Sequence, residues 1–233
     1  MWAPTLRGLG IFILGSALVS GSPSGARAQT AGPAETRDTS TVPSIDELSV
    51  SEWARLQLEA LDSRSSAGGI DERLDRLRAM YFLSVEEGDW MKAAEDSLSH
   101  LGPLLPPGSP ESVLAEAYRG ALKVVRAKHA RWPGNKLKHL DRGSEILDGL
   151  VNAHPDNLEV RYLRLASYLF LPFFLQRDRE VEADLATLSS GLPDNRDAFS
   201  PFMYRAVVTF VLENGKLDEE TRARLEAILQ PTS

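Results

Sequence analysis

The chain has 233 residues, no cysteine and a formal net charge of −7. The missing cysteines exclude a disulfide framework, a lipobox for acylation and a thiolate metal site. The acidic balance speaks against wholesale nucleic-acid binding, which needs a basic face, and the length is enough for one domain with a real core.

Residues 1–28 have the pattern of a signal peptide. Arg7 supplies a positive start, Leu9 to Val19 an apolar run, and Ala26-Arg27-Ala28 a small-x-small site, so cleavage is expected before Gln29. The apolar run is far short of the ~20 residues of a membrane-spanning helix, and two glycines interrupt it. The expectation is therefore an exported protein, periplasmic or secreted, with no transmembrane segment once the signal is removed. Removal takes away Arg7 and Arg27 and no acid, which leaves the mature chain more acidic still.

Residues 29–43 are mainly Thr, Ser, Pro, Gly and Ala and offer too little apolar surface to offset ordering, which predicts a flexible linker. A helical region is expected over 44–233. Ser44 reads as the first cap, followed by a loose helical pattern of Ile45, Leu48, Trp53, Leu56 and Leu61. The next unit runs from Ile70 to Leu101. Leu74, Leu77, Tyr81 and Val85 share one face, a break falls at Gly88, and Leu98 and Leu101 continue the stripe until the prolines between Pro103 and Pro110 stop it.

A third unit opens at Pro110-Glu111, a proline and an acid suited to a first turn, and its helix is expected to reach Arg131. Trp132-Pro133-Gly134-Asn135 makes the turn into a return helix containing Leu137, Leu140, Ile146, Leu147 and Leu150, with Gly143 placed for close helix approach. Helix Leu158 to Leu171 is apolar on more than one side and is expected in the middle of the array, ended by Pro172. Val181, Leu185 and Leu188 mark its partner. A last pair, Phe199 to Leu212 and Leu217 to Leu229, closes the chain with a polar outer face. Pro155-Asp156-Asn157 and Pro193-Asp194-Asn195 mark corresponding joints 38 residues apart, although the interval from Pro106 to Pro155 is 49, so the units are unequal.

The segment Gly88-Asp89-Trp90-Met91-Lys92-Ala93-Ala94 resembles the inter-helix turn of the tetratricopeptide-repeat (TPR) family, with its glycine, aromatic and alanine spacing. That resemblance implies an all-α fold, an α-solenoid of stacked helix-turn-helix repeats. It implies no activity. The stretch from Lys128 to Pro172 also resembles the core of secreted bacterial repeat proteins, through Lys128-His129, the proline and lysine that follow, and Glu159-x-Arg161-x-x-Arg164.

One segment concentrates charge. Arg126, Lys128, His129, Arg131, Lys136, Lys138, His139 and Arg142 lie against the single acid Asp141 and straddle the Trp132 turn. Lys128, His129, Arg131, Lys136 and Lys138 are the candidates for binding an anion or a partner; alternatively, the cations before the turn complement a helix dipole and the rest are solvated. Glu159, Arg161 and Arg164 form a second cluster on the over-apolar helix. Burial would force them to pair, with Lys128 or the preceding helix for Glu159 and with carbonyls, Glu145 or Asp148, or an outside anion for the arginines, as a structural ion network or a ligand site. Phe173 and Phe174 either plug the core between units or, if exposed, anchor a partner.

No Gly-x-Ser-x-Gly elbow, His-Glu-x-x-His pair or glycine-rich phosphate loop occurs. The four histidines lack i, i+4 spacing, and no two carboxylates are singled out for acid/base work. The expected protein is a non-catalytic exported scaffold for an unknown protein partner in the periplasm or envelope, with no cofactor and no metal. Two other readings stay open: a module binding an anionic small molecule or polymer at the basic rim, and a helical enzyme of unknown chemistry.

Overall fold

The structure is a computed structural model that describes residues 49–64 and 68–230. The signal peptide, the linker and the Ser44 cap expected from the sequence lie outside the described residues. Nine α-helices and several short 3-10 turns, with no strand, make up the regular structure of the described residues. They are α1 (Val50–Asp62), α2 (Ile70–Glu86), α3 (Trp90–Leu101), α4 (Pro110–His129), α5 (Pro133–Ala153), α6 (Leu158–Tyr168), α7 (Asp178–Gly191), α8 (Pro201–Asn214) and α9 (Glu219–Leu229).

Several starts are written locally. Ser49 accepts from the Glu52 amide while the Glu52 carboxylate accepts from the Ser49 amide, a reciprocal capping box. Ser109 caps α4 with Pro110 just inside, and Asn157 and Asp218 cap α6 and α9 by accepting from the amides of Val160 and Thr221. Each such cap contributes about 1 kcal/mol by satisfying an otherwise unpaired amide.

Neighbouring helices pack in chain order, α2 against both α1 and α3, α4 with α5, α6 with α7 and α8 with α9, and α4 also packs against α2 on one side and α6 on the other. Aromatic rings run along this inner layer. Phe82 meets Tyr81 edge-on, Tyr81 meets Tyr118 of α4 at 5.3 Å between centroids, and Tyr162 of α6 meets Phe210 of α8 at 5.5 Å. Such contacts add to the area that Leu77, Leu83, Leu122, Leu147 and Leu163 bury beside them.

The tightest approach joins α4 to α5 at two glycines. A Cβ on Gly143 would lie 2.7 Å from the Gly120 carbonyl oxygen and 2.7 Å from Val124 Cγ2, and one on Gly120 would press on Ile146 and Leu147. Gly143→Leu should therefore lower stability by about 1–3 kcal/mol or more, since the obstacle is backbone that cannot rotate away. A urea midpoint equal to that of the parent would contradict this.

Two joints differ from the sequence expectation. Helix α6 ends at Tyr168 rather than Leu171, because the chain tightens into a turn in which Leu171 donates to the Tyr168 carbonyl and Pro172 has no amide to continue the ladder. The two Pro-Asp-Asn joints are also not equivalent. Asn157 caps α6 directly, whereas Pro193 lies inside a 3-10 turn, Leu192–Asp194, and a second turn, Arg196–Ala198, precedes α8.

Candidate functional site

Glu159, Arg161 and Arg164 do not form one cluster: α6 delivers them to two separate buried networks. Glu159 stands in the first turn of α6, where the helix dipole favours a carboxylate, but it is only 2% exposed. Arg78 of α2 grips it with two parallel bonds, Nε to Oε1 and Nη2 to Oε2, each 2.8 Å, and the Tyr118 hydroxyl of α4 donates to Oε1 at 2.7 Å. Asp75 takes a further Arg78 N–H at 2.8 Å. Burial alone would lower the Arg78 pKa, but the Glu159 bonds and charge more than reverse this and leave it above its ordinary value. Burial, then Glu159, pushes the Tyr118 phenol well up, so it stays an O–H donor. The expected partner Lys128 is not involved.

The second network ties α6 to α7 and α5. Asp184, fully buried, accepts from Arg161 Nη1 at 2.8 Å and from Arg164 Nε and Nη2 at 2.8 and 2.9 Å. Arg164 also reaches Asp148 at 3.2 Å, which holds Arg177 at 3.0 Å, and the Arg177 guanidinium lies 4.8 Å from the Tyr168 ring centroid. Asp148 is thus a partner that the sequence singled out, and Glu145 is not.

Arg78 and Asp184 were missed in the sequence, yet each has a signal. Arg78 sits with Leu74, Leu77 and Tyr81, and Asp184 with Val181, Leu185 and Leu188, at i, i+3, i+4, i+7 positions of a core stripe. A charge on the apolar side of a helix that already has a buried partner of opposite sign is the pattern to look for.

The basic run divides as well. Lys128 donates to the Val85 carbonyl at 2.7 Å, and His129 Nε2 lies 2.9 Å from the Ser84 carbonyl oxygen, so both finish the C-terminal end of α2. Burial, opposed by Glu86, lowers the Lys128 pKa. A Cβ on Gly88 would meet the His129 ring at 3.3 Å, so a side chain in the α2–α3 turn would need that ring to shift. Arg126 bridges to Glu95 of α3. Arg131 and Lys138 are exposed and Lys136 is half-buried. Of the run, Arg126, His129, Arg131 and His139 line a groove of about 500 Å3 with Lys92 and Asn135, whereas Lys128, Lys136 and Lys138 do not.

Phe173 and Phe174 do not plug the core. They occupy a 3-10 turn, Phe173–Leu175, closed by Gln176 at φ 52°, and are 84% and 57% exposed, while Leu171 and Leu175 on either side pack inward. The loop that carries them begins and ends beside a cleft of about 560 Å3 walled by α7 and the α8–α9 turn, to which Leu169 and Asp178 both contribute.

The fold and these sites define an all-α protein of antiparallel helix pairs bound internally by arginine–carboxylate networks. No described helix is long and apolar enough to cross a membrane. No protein-family model, curated protein or solved structure matches the chain.

Proposed function

We propose that the chain is an exported, non-catalytic α-solenoid of TPR-like helix pairs that acts as a protein-interaction scaffold, holding a partner through the Phe173-Phe174 loop and the cleft beside it. The observation that carries this is the exposed aromatic pair on a loop whose two ends wall a cleft. Large exposed rings are costly to leave in water, and aromatic anchors dominate binding energy at protein interfaces. Leu169, Val181, Leu185 and Leu217 give the cleft an apolar floor, and Asp178, Glu182 and Asp218 outnumber Lys216 among its charged lining. The complementary ligand is an apolar segment flanked by basic residues, because opposite charge steers the encounter and the rings supply the affinity. The solenoid reading rests on the pairwise order of the helices, the side-by-side packing of α2, α4 and α6, and the Gly88-Asp89-Trp90 turn; export rests on Arg7, the apolar run and Ala26-Arg27-Ala28.

A photo-crosslinking residue at position 173 should trap one defined protein in the exporting cell, identifiable by mass spectrometry, on a chain whose N-terminus is Gln29. With that partner purified, Phe173→Ser combined with Phe174→Ser should weaken binding at least ~30-fold, the loss of one hot-spot side chain, and shift stability by no more than about 0.5 kcal/mol. Equal affinity for parent and double variant would end the reading.

A further inference from the structure

Elsewhere in this acidic chain most arginines have an acid of their own: Arg55 pairs with Glu87, Arg76 with Asp62, Arg119 with Glu116 and Arg224 with Asp194. Around the α4–α5 turn the pattern reverses. Lys123, Arg131, Lys136, Lys138 and Arg142 make no salt bridge among the described residues. Uncompensated like charges repel; of these five Arg131 lines a groove, and Lys123, Arg142 and Lys138 act on His139 in the same lining, a field that an anion there relieves.

We propose that the groove between the α2–α3 turn, the end of α4 and the start of α5, lined by His129, Arg131, Asn135 and His139, binds a small polyanion carrying phosphate or carboxylate groups. Its volume of about 500 Å3 falls within the ordinary range of small-molecule pockets. Arg131 is exposed and offers an unoccupied planar fork matched to either oxyanion. Arg126 and Lys92 add charge to the wall, each held by an exposed bridge, to Glu95 and to Asp96, that contributes little and can be exchanged for a ligand. Asp89 is the one acid in the lining.

The backbone agrees with this polarity. Helix α5 starts beside the groove at Trp132 with no side-chain cap, and Gly134 leaves its first turn open, since a Cβ there would meet nothing within 4 Å. The field registers on His139: burial first, then Arg126, Lys123, Arg142 and Lys138, push its imidazole below the ordinary value. An anion bound beside that ring returns a proton to it. The groove shares no lining residue with the Phe173-Phe174 loop or its cleft, so the inference stands independently of the partner-binding reading.

Calorimetric titration of the whole mature chain at low ionic strength, with sodium pyrophosphate and separately with citrate, tests it. Saturable binding of at least one is expected, and whichever binds more tightly identifies phosphate or carboxylate as the preferred group. Arg131→Ala combined with His139→Gln should weaken that binding about tenfold or more, as expected for a lost charge-assisted hydrogen bond, while Arg179→Ala on α7 leaves it unchanged. Arg131 and Arg179 are exposed, so their removal should leave melting unchanged; His139 is half-buried, and should the double variant melt lower, Arg131→Glu alone gives the same reading by reversing the charge of an exposed side chain. No saturable heat with either probe, or equal affinity in parent and double variant, overturns the proposal.

Discussion

Glu159→Ala should destabilise the protein by about 3–5 kcal/mol, a large fraction of the ~5–15 kcal/mol that holds a typical domain. The size follows from what is left behind. Arg78 loses a bidentate acceptor while its guanidinium remains nearly buried, with only Asp75 still in reach, and the Tyr118 hydroxyl loses its acceptor in the core. Deleting one partner exposes the full desolvation cost of the other, whereas deleting both removes the cost along with the attraction. Arg78→Met combined with Glu159→Leu should therefore recover most of the loss. Urea unfolding of the parent, the two single variants and the double variant measures the coupling directly. A Glu159→Ala midpoint within about 0.5 kcal/mol of the parent would remove the network from any account of stability.

The bridge bears on cooperativity too. Arg78 and Glu159 are 81 residues apart and join α2 to α6, with Tyr118 of the intervening α4 bonded to the same carboxylate. In an array whose units feel only their neighbours, unfolding frays from the ends and the transition broadens. A link spanning three helix pairs opposes that, so the parent should unfold more sharply than Glu159→Ala.

Much of the architecture was legible because helix periodicity and punctuation are local. Ile70 and Leu101 bound the second unit as expected, and Trp132, Gly143 and Asn157 lie where the turns and close approach require them. The partners were not legible. Glu159, Arg161 and Arg164 stand out on an apolar helix, but which charge each meets depends on how α6 is rotated against α2 and α7, and spacing along one helix does not carry that angle. The division of the basic run was hidden for a related reason. Lys128 and His129 belong to the same run of basic residues as Lys136 and Lys138, yet only the first two fall where the carbonyl end of α2 needs donors. Phe173 and Phe174 show the limit of composition: a 3-10 turn directs Leu171 and Leu175 inward and leaves the larger rings outside.

Asp184→Ala should cost about as much as Glu159→Ala, roughly 3–5 kcal/mol, and Arg164→Met should cost less. Asp184 is fully buried and is the shared acceptor for two arginines, so its loss strands Arg161 with the Pro155 carbonyl and Arg164 with Asp148 alone, an acid already engaged by Arg177. Arg164→Met keeps an apolar stem of similar length and removes its own charge, and Asp184 retains Arg161 at 2.8 Å. Burial lowers the Arg164 pKa while Asp184 and Asp148 raise it further, so its charge persists in the fold and must be answered there. A ligand site at these arginines predicts the opposite order: Arg164→Met would leave the melting midpoint in place and abolish binding of an anionic probe. Melting midpoints and pyrophosphate affinities of the two variants, measured side by side, separate these outcomes. The network requires large midpoint losses ranked Asp184→Ala above Arg164→Met, with Arg164→Met, still folded at the temperature of the titration, binding pyrophosphate as the parent does.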